Sequence, residues 1–252
     1  MVGILAIHVS VIVRHPNDDR FDRSWGKEDG ILTGPFVDDD PAAPIFFLSY
    51  ARANPRGRAS PRYAVNEHVA RLFKDLSENV AELLPSLPGK QLGFMDTTMQ
   101  GGEDWRRRLL YAAGTCQVFI ALLSPNYLDG SPWCAMEWDL FSKRTVKPRS
   151  SETEAGSGII PSLWAPTRTS TPRHVSAVQR FAPSDYVDEL DRERYRAGGI
   201  FGLLRTNHHD AYMSIVWDLA MLIQTRYYDQ WVEPQIRTDT RGLRRSFRRA
   251  RP

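Results

Sequence analysis

Two spacings of apolar residues alternate along this 252-residue chain. Short continuous apolar runs occur at 45–50 (Ile45-Phe46-Phe47-Leu48-Ser49-Tyr50), 92–95, 118–123 and 159–164. Such runs, bounded by turn-forming residues, predict strands buried on both faces. The run 118–123 is the clearest, wholly apolar and closed by Ser124-Pro125. Pro161 within the fourth run predicts an edge position or a strand end, because proline cannot donate to a ladder.

Between the runs the spacing becomes helical. Val65, Val69, Leu72, Phe73, Leu76, Val80, Leu83 and Leu84 form one stripe, ended by Pro85, Pro88 and Gly89. Trp105, Leu109, Leu110 and Ala113 give a second helical face, 133–143 predicts a third helix, and 211–226 carries Ile215, Val216, Leu219, Ala220, Leu222 and Ile223 on a fourth. An amphipathic stripe of this kind packs one face on a core. Strands alternating with helices predict an α/β architecture around a parallel sheet. Functional residues then belong at the carboxyl ends of the strands, which selects 49–52, 96–104 and 124–137.

The rest of the chain reads as connection. Residues 14–44 are rich in Asp, Gly and Pro and are expected to be a leader or linker; 150–158 is a small-residue loop and 165–183 a long irregular connection. The run 2–13 is interrupted by His8 and Ser10 and is too short to span a bilayer. It has neither the basic stretch before it nor the small-residue cleavage site after it that a signal peptide carries. The expected organisation is a leader over 1–43, a folded domain over 44–232 and a tail over 233–252.

Composition changes this picture in one place. The net charge is +3, but residues 237–252 hold seven arginines against one aspartate, so the remainder stands at −3. A slightly acidic body argues against broad nucleic-acid binding. The basic tail is expected to be solvated and disordered, or to touch phosphate or an acidic partner. Two cysteines, Cys116 and Cys134, make neither a disulfide framework nor a metal pattern, which fits a reducing compartment. A soluble cytoplasmic protein with no membrane partner is the expectation.

Several chemistries lack their residues. There is no phosphate-binding loop, no dinucleotide glycine turn and no nucleophile elbow. The histidines are scattered except for His208 and His209 beside Asp210, which point apart on a helix, so no metal site is expected. Cys134 reads as inert packing.

What remains is an ordered set of segments. Phe47-Leu48-Ser49-Tyr50-Ala51-Arg52 ends the first strand, and Gly93-Phe94-Met95-Asp96 leads into Gly101-Gly102-Glu103-Asp104-Trp105. Ser124-Pro125-Asn126-Tyr127 leads into Trp133-Cys134-Ala135-Met136-Glu137. In this order the segments resemble the TIR (Toll/interleukin-1 receptor) domain, over roughly 44–226. The stretches 46–52, 93–96 and 134–138 are most similar to TIR-like proteins encoded with actinobacterial radical-SAM cyclophane-peptide systems.

The resemblance implies a flavodoxin-like fold, with a central parallel sheet of about five short strands between helices on both faces. It also implies candidate cleavage of NAD+ at the nicotinamide–ribose bond, NAD+ being substrate rather than cofactor. The family's catalytic glutamate falls on Glu137. Nicotinamide leaves neutral and needs no general acid, so one carboxylate stabilising the oxocarbenium-like ribose suffices. Ser49, Tyr50 and Arg52 would line the floor, with Arg52 available to the pyrophosphate. Asp96 and the 97–104 loop would form a wall, Ser124 would contact ligand, and Trp133 would pack beneath Glu137 one turn along its helix. Each has a plain structural reading: Asp96 as a turn cap, Ser124 as a strand closure, Trp105 as core or interface. The alternative function is a non-catalytic module that self-associates through the 97–104 loop and the last helices. A third is a sensor that binds an NAD-derived nucleotide without cleaving it.

Overall fold

The computed structural model describes residues 26–28, 31–33, 40–52, 62–85, 89–96, 103–150, 156–167 and 170–248. The first elements are β1 (Gly26–Glu28), β2 (Ile31–Thr33), β3 (Phe46–Ser49), α1 (Arg62–Leu83), β4 (Gly93–Met95) and α2 (Glu103–Thr115). Next come β5 (Val118–Leu123), α3 (Pro125–Asp129), α4 (Pro132–Ser142), β6 (Val146–Pro148) and β7 (Ile159–Leu163). The chain continues through α5 (Arg173–Ser176), α6 (Glu189–Arg205), α7 (His209–Asp229), β8 (Gln230–Val232) and β9 (Ile236–Arg237).

The central sheet is parallel, in the order β4-β3-β5-β7. Among the described residues it has four strands, in keeping with the expected sheet of about five. After β7 the chain enters α6 and α7, and its last strands pair elsewhere: β8 with β6, and β9 with β2, both antiparallel. At the sheet's edge, β7 accommodates Pro161 opposite Ala121.

The pleat divides each buried strand between two cores. Phe46, Leu48, Val118, Ile120 and Ile160 face one core, closed by Leu72 and Leu76 of α1, Tyr195 and Leu203 of α6, and Ile215 and Leu219 of α7. Phe47, Phe119, Ala121, Leu123 and Ile159 face the other, closed by Leu109 and Ala113 of α2 and by Met136, Trp138 and Phe141 of α4. The rings of Phe47 and Phe119 stack at 5.4 Å across neighbouring strands. Continuous apolar runs are what a strand with a core on each side demands.

The helix α6 has no counterpart in the periodicity of the sequence. Its first turns are dominated by charge (Glu189, Asp191, Arg192, Glu193, Arg194, Arg196), and it kinks at Gly199 (φ 65°). A Cβ there would meet the carbonyl oxygen of Trp164 at 2.6 Å, so the kink lets the helix lie against the end of β7. The stripe on either side of this break is too short to read as one period.

Both ends differ from expectation. Part of the expected leader, 26–28 and 31–33, pairs as β1 and β2 in one antiparallel sheet with β9. The run 2–13 lies outside the described residues. The expected disordered tail instead packs on the body through residue 248. Ile236, Leu243 and Phe247 are buried between its arginines, and three apolar anchors outweigh the solvation of the charged residues that separate them. No helix among the described residues is long and apolar enough to cross a membrane.

Candidate functional site

The strand order dictates where a site can form. From β3 the chain crosses to β4 on one side, then returns past β3 to β5 on the other, so the connections diverge between β3 and β5. Ligands bind α/β sheets outside the carboxyl ends of the strands at such a point. Here β3 ends in Ser49, which pairs with Ala121 of β5. The pleat turns Ser49 toward α3 and α4, whereas Leu48 faces the opposite core.

Two capped helix starts bring the remaining groups in. Ser124 accepts a hydrogen bond from Tyr127 N at 3.1 Å and begins α3, with Pro125 in its first turn. Ser131 does the same for α4, accepting from Cys134 N at 3.3 Å, again with proline following. Serine caps followed by proline are strong start signals, and they fix the helical register. In that register Tyr127, Cys134 and Glu137 are all buried.

Glu137 is therefore inward-facing, with 6% of its surface exposed. Its Oε2 accepts a hydrogen bond from Ser49 Oγ at 2.5 Å. The Tyr127 hydroxyl lies 3.0 Å from Ser49 Oγ. Because the one serine hydrogen is given to the carboxyl, Tyr127 donates to Ser49, making a relay of three buried groups. Burial pushes the Glu137 carboxyl from its ordinary 4.5 up to about 8; Ser49 opposes the rise, Asp96 adds to it and Arg52 pulls it back. Burial likewise raises Tyr127 and Cys134, and the nearby Glu137 adds to both. The Cys134 thiol is thus inert packing, not a nucleophile.

Next to this relay lies a second, wetter pair. Arg52 Nη2 donates to Asp96 Oδ2 at 2.5 Å, and the Tyr50 hydroxyl donates to the Asp96 carbonyl at 2.7 Å. The side chains of Arg52 and Asp96 are 34% and 14% exposed, so the pair adds little stability. Its effect is placement. It ties the ends of β3 and β4 together and keeps a cation and an anion within electrostatic reach of Glu137. Burial raises the Tyr50 phenol, with Arg52 opposing.

Of the residues selected from sequence, Ser49, Tyr50, Arg52, Asp96 and Glu137 are brought together. Asp96 is not merely a turn cap, since its carboxylate pairs with Arg52. Ser124 lies at the rim, and its side chain serves as the α3 cap. Trp133 is half-buried and meets Trp105 edge-to-face at 4.7 Å, which joins the starts of α2 and α4. The part of the expected wall at 97–102, and the loop 53–61 after Arg52, lie outside the described residues. A cleft of about 240 Å³ bordered by Asp139, Arg144, His174 and Arg244 contains none of the selected residues.

Sequence reasoning assigned no role to Tyr127 and Arg144. Tyr127 carries a local signal, a tyrosine two residues beyond a Ser-Pro helix start. Arg144 carries none. It is buried without a carboxylate partner among the described residues, and its guanidinium donates to the carbonyls of Ala113, Cys116, Val232 and Glu233 at 2.7–3.2 Å.

A four-stranded parallel sheet between helices on both faces, with a polar cluster at the β3/β5 divergence, defines an α/β domain. The chain belongs to the TIR domain family, which it matches over residues 68–197, from within α1 to within α6. No curated protein and no solved structure matches it.

Proposed function

We propose that this TIR domain hydrolyses NAD+ at the nicotinamide–ribose bond and that Glu137 is the catalytic carboxylate. The observation that carries the reading is the buried Glu137 carboxyl held on Ser49 at the β3/β5 divergence. In the reaction the C1′–N bond breaks, its electron pair neutralises the pyridinium ring, and water adds to C1′ and releases one proton to solvent, giving ADP-ribose. Charge builds on the ribose as nicotinamide leaves. An ionised Glu137 beside it is worth most where water is excluded. Because burial favours the neutral carboxyl, arrival of the cationic substrate supplies the countercharge that ionises it. Arg52, already drawn toward Asp96, stands where a diphosphate can compete for its guanidinium.

The test is direct. Concentrated protein incubated with NAD+ releases nicotinamide, read by chromatography, and Glu137→Gln abolishes the release while circular dichroism shows the fold retained. Release that survives Glu137→Gln contradicts the assignment. Binding of NAD+ or ADP-ribose by calorimetry without turnover identifies the sensor reading instead.

A second reading, self-association in signalling, is favoured by one surface. Met213, Trp217, Met221 and Tyr228 recur every four or seven residues on α7 and are 38–50% exposed, an apolar stripe along one helix face. A second copy laid along α7 fits that stripe. Trp217→Glu then lowers the apparent mass in sedimentation, and a wild type that is monomeric at high concentration rejects this surface. The narrower likeness of 46–52, 93–96 and 134–138 to TIR-like proteins of cyclophane-peptide systems supports a setting near peptide maturation.

A further inference from the structure

The arginine-rich segment after β9 does not trail into solvent. It crosses α3 and α4 behind the candidate site. Phe247, only 3% exposed, is its deepest residue. The ring lies 5.4 Å from Tyr127, 5.9 Å from Trp138 and 5.8 Å from His174, the last nearly parallel at 13°. Tyr127 is the start of the relay to Glu137, and Trp138 is the next residue along α4.

The segment is fastened on both sides of this ring. Arg244 N donates to Asp139 Oδ2 at 2.9 Å, and Lys143 Nζ joins that carboxylate (2.7 Å) to the Gly242 carbonyl (3.2 Å). Arg244 Nη1 lies 3.3 Å from His174 Nδ1. Beyond the ring, Arg248 pairs with Asp129 at the end of α3 and donates to the Ser170 carbonyl at 3.3 Å. The fastenings therefore fall on α3, on α4 immediately after Glu137, and on the connection beside α5.

We propose that Phe247 is a positioning residue for Glu137: by closing the space behind Tyr127 and Trp138, it holds the Tyr127 hydroxyl on Ser49 and keeps water from the carboxyl to which Ser49 donates. This rests on Glu137 being the catalytic residue, and Phe247 itself touches no reacting atom. Removal of the ring leaves space for water behind Tyr127. The phenol then has a competing partner, Ser49 loses its donor, and the Glu137 carboxyl passes from a dry environment to a wetter one.

The test compares Phe247→Ala, Phe247→Leu and, as an arm control, Arg245→Ala, whose side chain is exposed. Phe247→Ala is expected to lower kcat for nicotinamide release by at least ~10-fold with KM nearly unchanged, as for misplacement of a catalytic group. Its pH profile should move toward the ordinary carboxylate range. Phe247→Leu restores most of both, and Arg245→Ala changes neither. A readout independent of turnover is labelling by a thiol reagent located by mass spectrometry. Cys134, beside the relay, reacts faster in Phe247→Ala, while buried Cys116 does not. If Phe247→Ala fails to fold, Asp129→Asn loosens the same arm from outside and is expected to move these readouts in the same direction. A Phe247→Ala protein with the wild-type pH profile and wild-type Cys134 labelling overturns the proposal. If the wild type releases no nicotinamide, the proposed reaction fails, and carbon-13 titration of the Glu137 carboxyl together with Cys134 labelling still decides the positioning claim.

Discussion

Glu137 and Arg144 sit two turns apart along the same stretch of chain, each with 6% of its surface exposed. Their treatment by the fold is opposite. Arg144 gives hydrogen bonds to four backbone carbonyls and packs its guanidinium 4.8 Å from the Phe141 ring centroid. Burial lowers it only to about 10, so it keeps its charge at neutral pH. Glu137 receives one serine hydroxyl, and burial lifts it to about 8. Burial alone does not distinguish a structural charge from a reactive one; the number of partners does. A fully satisfied charge is spent on architecture, whereas an under-satisfied one is ready to exchange a proton or meet a cation.

The largest expected effect tests the architectural half. Arg144→Met takes the guanidinium donors from the carbonyls of Ala113, Cys116 and Glu233, while Val232 keeps only Gln117 Nε2, and should cost about 3–5 kcal/mol in denaturant unfolding, each stranded acceptor costing about 1–3 kcal/mol. Arg144→Lys should recover little, because one ammonium cannot span the four acceptors. Wild-type stability in either variant would mean that the guanidinium network is ornamental.

Glu137→Gln should act in the reverse direction. The folded carboxyl is raised above its unfolded value of 4.5, so its contribution is fully present below that pH and is lost as pH climbs to about 8. The variant should therefore match wild type near pH 4 and exceed it by about 2–4 kcal/mol at pH 9. Parallel stability curves for the two proteins across this range would show that Glu137 is solvated.

Smaller effects sharpen the relay. Ser49→Ala removes the hydrogen bond that opposes the upward shift, so the Glu137 titration should move to still higher pH, at a stability cost of about 1–2 kcal/mol. A downward movement in a carbon-13 titration would contradict the relay. Ser124→Ala should cost about 1 kcal/mol through loss of the α3 cap, with little change in the Glu137 titration. A large shift there would make Ser124 part of the site rather than its rim.

The contrast also explains what the sequence could reveal. Strands buried on both faces and long amphipathic helices leave local periodic marks, so β3, β5, α1 and α7 were legible. Glu137 was singled out by the resemblance of its Trp-x-x-x-Glu segment to the TIR family, and the structure turns its side chain inward. The partners of Arg144 lie as far as 89 residues away along the chain. Phe247 lies 120 positions beyond Tyr127. Contacts of that separation have no periodicity to betray them. The same reasoning misjudged the C-terminus, where arginine count obscured three buried apolar anchors, and it could not see α6, whose stripe is broken at Gly199.

The most direct measurement is the pH dependence of kcat/KM for nicotinamide release, which reports the titration of the free protein. An ionised Glu137 as the working form predicts a rise of about tenfold per pH unit, levelling near 8, and no such limb in Glu137→Gln. A profile flat from pH 6 to pH 9, measured at about one-unit steps, would contradict the account.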